Sequence, residues 1–280
     1  MSACKVCPTA RLERLLLATD GSEFSEGAVR EAVNLAKTCG SKLFVVSVIE
    51  FNPELEEFAP RLATKIEEET MQQLEAIKLR AAKEGVDCEA ISHKAEDPYP
   101  DIVEDASKEH ADMIIMGRRG RTGLKRLMLG SVAAKVIGHA PCNVLIVPRA
   151  ARVECRNILI ATDGSKYSEK AVLEAVGIAK RSGATLIGIS VAHNDVGLNE
   201  AEEHVRPVKE IAEKEGLKVE ALSLKGIPYE VIVNTAKQRN ADIIVVGSHG
   251  RTGMERLLMG SVTERVIGFA ECAVLVVKMR

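Results

Sequence analysis

The stretch LLATDGSEFSE at positions 16–26 returns as LIATDGSKYSE at positions 159–169. A second block, Gly120 to Val147, returns as Gly250 to Val277 with 17 of 28 positions identical. The chain of 280 residues is therefore one unit written twice. Each copy has about the length of a single domain. The offset between copies is 143 residues at the first block and 130 at the second, so copy one carries about 13 extra residues, mostly between Phe51 and Thr70. That insertion reads equally well as a lid or as an interface. The expected boundaries are a first domain over 1–148, a linker over 149–156 and a second domain over 157–280. So short a connector should hold the copies against each other.

Within each copy the hydrophobic period switches back and forth. Leu15 to Thr19 is a short apolar run. Val29, Ala32, Val33 and Ala36 then recur at helical spacing up to Gly40, the expected C-cap. Copy two repeats this with Val172, Ala175, Val176, Ala179 and Gly183. Leu43 to Ile49 reads as a strand. An amphipathic helix follows, over Ala63–Glu84 in copy one and Glu200–Glu215 in copy two. Cys88 to Ser92 is a strand, Asp101 to Glu109 a helix, and Asp112 to Gly117 a buried strand. The last helix starts near Ser131 and the last strand is Val144 to Val147. Strands alternating with helices predict an α/β fold: in each copy, an open twisted parallel five-stranded sheet with helices on both faces.

Composition narrows the function. The net charge is −2, with 38 Lys and Arg against 40 Asp and Glu, which argues against nucleic acid or an anionic membrane as the main partner. No apolar run nears the roughly 18 residues of a bilayer span, and Leu15 to Ala18 is too short for a signal-peptide core. A soluble, cytoplasmic protein is expected. The seven cysteines are too scattered for a disulfide framework, and Cys4-x-x-Cys7 lacks a second pair to complete a zinc site. Cys142 and Cys272 occupy equivalent positions and read as small packing residues.

In a parallel sheet, ligands bind at the carboxyl ends of strands. Asp20 and Asp163 follow the first strand of each copy. Gly117-Arg-Arg-Gly120 leaves the fourth strand, with Gly130-Ser131 nine residues on; Gly247-Ser-His-Gly250 and Gly260-Ser261 match them. A helix opening at Ser131 or Ser261 offers free amides and a partial positive charge, which suits a phosphate. Neither a Walker loop nor a G-x-G-x-x-G fingerprint occurs. Asp20 either caps the following helix or leaves that to Ser22 or Ser25 and faces a ligand. Arg118 and Arg119 either clamp phosphates or project into solvent. Copy one has Ala133 where copy two has Thr263, a further hydroxyl donor, so site two is the stronger candidate. Arg121, Arg126, Arg251 and Arg256 recur and either reach phosphates or, the commoner case for such arginines, stay solvated. The six histidines show no metal-ligand spacing; only His249 lies in the loop, where it lines the site.

The pattern G-x2-G-x9-G-[S/T], opening a helix after a strand, resembles the ATP-binding branch of the universal stress protein family. The resemblance covers nearly the whole chain, twice. It implies strand order 3-2-1-4-5 in each copy. It also implies adenine recognition by Asp20 and the backbone of Val48, with ribose and phosphates at Gly117, Gly120, Gly130, Ser131 and Val132. In copy two the matching positions are Asp163, Val191, Gly247, Gly250, Gly260, Ser261 and Val262. The implied ligand is ATP or AMP, with Mg2+ carried by the phosphates. Family domains pair through their last strands, here Val144 to Val147 and Val274 to Val277, so the chain would be a built-in pseudo-dimer, open to further homodimerisation. The expected role is regulation or stress response through nucleotide binding. A non-binding interaction scaffold is the alternative. A slow ATPase ranks last, because the sequence offers no nucleophile–base pair.

Overall fold

Leu15 and Leu17 point to one side of the first strand, Leu16 and Ala18 to the other, and all four are buried. A strand apolar on both faces must lie inside a sheet covered twice. The computed structural model, which describes residues 12–51, 53–120, 129–251 and 258–279, has that architecture. Cys4, Cys7, Arg121, Arg126 and Arg256 lie outside the described residues.

The first half runs β1 (Arg14–Ala18), α1 (Glu26–Cys39), β2 (Lys42–Glu50), α2 (Pro53–Phe58), α3 (Pro60–Lys83), β3 (Cys88–Ala95), α4 (Pro98–Lys108), β4 (Met113–Gly117), α5 (Ser131–His139) and β5 (Asn143–Val147). The second runs β6 (Asn157–Ala161), α6 (Lys166–Ser182), β7 (Thr185–Ala192), α7 (Leu198–Lys214), β8 (Val219–Lys225), α8 (Pro228–Gln238), β9 (Ile243–Gly247), α9 (Ser261–Phe269) and β10 (Ala273–Val277), with a short 3-10 turn at Asp195–Gly197. Helix α2, within the insertion, is absent from the sequence reading. Gly40 and Gly183 end α1 and α6 in the left-handed region, at φ 68° and 71°, where glycine carries no Cβ penalty.

The two expected five-stranded sheets are one sheet. Its order is β3-β2-β1-β4-β5-β10-β9-β6-β7-β8, so each half keeps the order 3-2-1-4-5. The seam is antiparallel: Val274 faces Ile146, Leu275 faces Leu145 and Val276 faces Val144. Equivalent residues thus meet around a pseudo-twofold axis between Leu145 and Leu275. Two cores result, and each runs across the seam. Helices α1, α3, α6 and α7 cover one face; α4, α5, α8 and α9 cover the other. Cys142 is buried in the second core, with the half-buried Cys272 packed against it. Burial pushes the Cys272 thiol up to about 12. Among the described residues no helix is long and apolar enough to cross a membrane.

The segment after β5 is pinned to α1. The Arg30 guanidinium donates to the carbonyls of Arg149 and Ala151, while buried Glu31 accepts from the Val153 amide at 3.1 Å and from Arg30 Nε at 2.7 Å. A buried carboxylate needs such partners.

The seam also joins the helices. Arg118, between β4 and α5, donates from one guanidinium nitrogen to the carbonyls of Ala270 (2.8 Å), Gly268 (3.0 Å) and Ile267 (3.3 Å), at the end of α9 in the other half. In return, the Lys278 ammonium donates to the carbonyls of Ile137 (2.6 Å) and Gly138 (2.9 Å), at the end of α5. The last carbonyls of a helix lack intrahelical donors and carry partial negative charge. Each half therefore supplies the cation that the other half's last helix needs. Both cations are half-buried, and desolvation lowers their pKa values.

Candidate functional site

The carboxyl end of β6 opens into the turn Thr162-Asp163-Gly164-Ser165. The Asp163 carboxylate accepts from the Ser165 amide at 3.1 Å through Oδ1 and from the Arg251 amide at 2.9 Å through Oδ2. It thus stitches the first turn of the half to the glycine loop after β9. Burial pulls this carboxyl upward, but the hydrogen bonds from Ser165, Ser168 and Arg251 outweigh it and hold its pKa below the ordinary aspartate value. Asp20 makes the matching turn, accepting through Oδ1 from the Ser22 amide at 3.0 Å and the Ser22 hydroxyl at 2.7 Å. The aspartates cap no helix, since the N-cap positions are Ser25 and Ser165; their hydrogen bonds organise the loops. In half two the cap is Ser165, whose Oγ accepts from the Ser168 amide.

The glycines divide by role. A Cβ on Gly247 would lie 2.8 Å from the backbone carbon of Tyr167, and one on Gly117 would lie 3.0 Å from the Phe24 carbonyl oxygen. These glycines let the strand end pass the first turn of its half. A Cβ on Gly250 would meet Asp163 Oδ2 at 2.7 Å, and one on Gly120 would meet Asp20 Oδ2 at 2.8 Å. Gly260 differs: the nearest atoms to its Cβ position are 3.5 Å away, an ordinary contact. Its amide donates to the Ser248 carbonyl at 2.9 Å, as Gly130 does to that of Arg118. The loop is therefore closed on itself just before α9 begins, and the first-turn amides of Ser261, Val262 and Thr263 are those an α-helix start presents.

Three sequence expectations are corrected. The Thr263 hydroxyl is spent on the Gly247 carbonyl at 2.9 Å, so it ties α9 to β9 rather than facing a ligand. Arg118 neither clamps phosphates nor enters solvent; it caps α9. Arg251 is also more than a solvated side chain, since its guanidinium pairs with Glu200 at 2.6 Å.

Half two holds a cleft of about 530 Å3, within the range of small-molecule sites. All seven half-two positions singled out from sequence line it: Asp163, Val191, Gly247, Gly250, Gly260, Ser261 and Val262. Its wall includes apolar Ala161, Ile189, Ile232 and Val246. His249, foreseen as a lining residue, is there, its ring 5.2 Å from that of Tyr167. His193, Glu200 and His204 were not foreseen. His204 arrives from α7 and packs on the backbone of Gly164, a contact hidden in a sequence separation of 40 residues. In half one, Asp20 and Gly120 meet as their counterparts do, Gly130 and Ser131 open α5, and Val48 lies on β2 beside His93 of β3. Among the described residues no three His, Cys, Asp or Glu side chains gather as a metal cage.

Known proteins resemble this chain over its whole span. The universal stress protein family matches residues 11–148 and again 154–278. A universal stress protein of Mycolicibacterium smegmatis is 31% identical over 293 residues, covering 95% of this chain and 97% of that one. One from Methanocaldococcus jannaschii is 41% identical over 139 residues, covering 44% of this chain and 82% of that one. The crystal structure of a universal stress protein from Archaeoglobus fulgidus aligns with a TM-score of 0.78 at 25% identity, over 96% of this chain and 99% of that one.

Proposed function

The chain belongs to the universal stress protein family, and from that premise we propose that it is an adenine-nucleotide-binding regulatory protein with one site per half. The observation that supports this reading best is the convergence of seven residues, chosen for phosphate and adenine recognition, on one cleft. Phosphates would sit at the start of α9, on the amides of Ser261 and Val262, where hydrogen bonds to a charged group contribute roughly 1.5–3 kcal/mol each. Three or four such bonds approach the ~8 kcal/mol of a micromolar site. The spare room at Gly260 fits this reading, because the protein's own atoms do not require glycine there. Asp163 would serve the adenine end with the acceptor capacity its two backbone bonds leave, a carboxylate offering about four lone-pair sites. ATP or AMP is the ligand class; Mg2+ would enter with the phosphates and their water, needing no carboxylate cage. The matching residues of half one, Asp20, Val48, Gly117, Gly120, Gly130, Ser131 and Val132, would form the second site.

The test is nucleotide-dependent thermal stabilisation. Ligand at a hundredfold over Kd should stabilise by about 2.7 kcal/mol. Gly260→Glu places a carboxylate at the phosphate position, where its Cβ meets no clash, and should abolish binding at cleft two while the fold persists. Undiminished binding there would refute the loop assignment. No nucleotide effect on either half would favour an interaction scaffold.

A further inference from the structure

Three of the chain's six histidines line the cleft of half two: His193 from the exit of β7, His204 from α7 and His249 from the glycine loop. The equivalent positions in half one hold no imidazole. Glu50 corresponds to His193 and Arg119 to His249 by the repeat offsets of 143 and 130. Gln73 corresponds to His204, since each packs on the equivalent glycine, Gly21 or Gly164. Half one has one imidazole nearby, His93 on β3 beside Val48, paired with Asp105 at 2.6 Å, so the halves differ in how many imidazoles they bring to this end of the sheet, three against one, and so in the charge they can gain near neutral pH.

The surroundings let that gain be felt. Among the described residues, the other charged groups lining the cleft are Asp163, Glu200 and Arg251. Arg251 and Glu200 neutralise each other at 2.6 Å, and Asp163 is held by backbone amides. His204 Nε2 lies 4.0 Å from Glu200 on its own helix. His249 Nδ1 lies 3.1 Å from the Ser248 hydroxyl, with the Tyr167 ring beside it. Near His193, Asp195 is paired with Lys225 at 2.8 Å. With neutral imidazoles the lining carries two carboxylates against one arginine; with all three protonated it becomes net positive.

We propose that half two is the pH-responsive nucleotide site of the chain: protonation of His193, His204 and His249 strengthens its hold on a polyphosphate, while half one, with His93 alone and that imidazole paired with Asp105, responds more weakly. This rests on the nucleotide reading above. A unit charge about 5 Å from a phosphate in a water-like medium changes affinity roughly fourfold, and one about 10 Å away roughly twofold. Three imidazoles gaining charge at distances between these two then give about a twentyfold tightening.

The test uses the full chain and ATP with excess Mg2+, by calorimetry. Gly130→Glu, which closes cleft one, isolates cleft two; Gly260→Glu isolates cleft one. The expected result is about twentyfold tighter binding at pH 6 than at pH 8 in Gly130→Glu, and less than threefold change in Gly260→Glu. Titrations in buffers of different ionisation enthalpy should also reveal net proton uptake on binding to cleft two, a readout that needs no histidine variant. His193→Asn, His204→Gln and His249→Asn together should flatten the pH dependence. Binding at cleft two with no proton uptake and a flat pH profile overturns this inference and leaves the nucleotide reading standing. Absence of binding to either cleft at every pH overturns both.

Discussion

Replacing Arg118 with Ala would remove the cation from the end of α9. Its one guanidinium nitrogen donates to three carbonyls, at 2.8, 3.0 and 3.3 Å, and carries two hydrogens, so about two good charge-assisted bonds are at stake. A cation in a partly buried site at a helix C-terminus contributes up to about 2 kcal/mol. Losing a charged partner of buried carbonyls costs about 1–3 kcal/mol, reduced here because Arg118 is itself desolvated in the folded state. The expected net loss is about 2 kcal/mol, read as a lowered urea midpoint at unchanged m-value. Lys278→Ala removes two bonds from the end of α5 and should cost a similar amount. The two caps serve different helices, so their effects should add to within about 0.5 kcal/mol. A loss below about 0.5 kcal/mol in Arg118→Ala, the size expected of a solvated surface arginine, would refute the capping argument. So would a large fall in nucleotide affinity at cleft one without loss of stability, which is the signature of a phosphate clamp.

Gly247→Ala should destabilise by about 1–3 kcal/mol, because its Cβ would stand 2.8 Å from the Tyr167 backbone, which cannot rotate away; chemical denaturation checks this. The pH dependence of Asp163 follows from its lowered pKa. Its contribution to stability is complete above the unfolded carboxylate value near 3.9 and is lost as pH falls through the lower folded value. Asp163→Asn should therefore be less stable at neutral pH and show a shallower loss as the pH falls below about 4 in acid denaturation.

Much of this was readable from the chain. Apolar runs alternating with helical periodicity placed the strands and most helices, because a doubly covered parallel sheet needs the buried stretches of strands such as β1 and β4 to be apolar. The glycine loops were readable because both copies repeat them. The role of Arg118 was not readable. Its acceptors lie 149 to 152 residues away and approach only after β5 pairs with β10. His204 escaped for the same kind of reason: nothing in the spacing of α7 says that one ring will rest on Gly164. The Thr263 hydroxyl misled because side-chain chemistry gives donors without direction, and only the packing of α9 against β9 aims this one at Gly247. Helix α2 was missed because six residues are too few to display a period.

The central claim is that the first-turn amides of α9 receive the phosphates of a purine nucleotide. A crystal structure of the full chain grown with Mg2+ and ATP tests it most directly. The account predicts phosphate oxygens within hydrogen-bonding distance of the Ser261 and Val262 amides, with the base toward Val191. Nucleotide bound elsewhere, or a cleft that admits none, would contradict it.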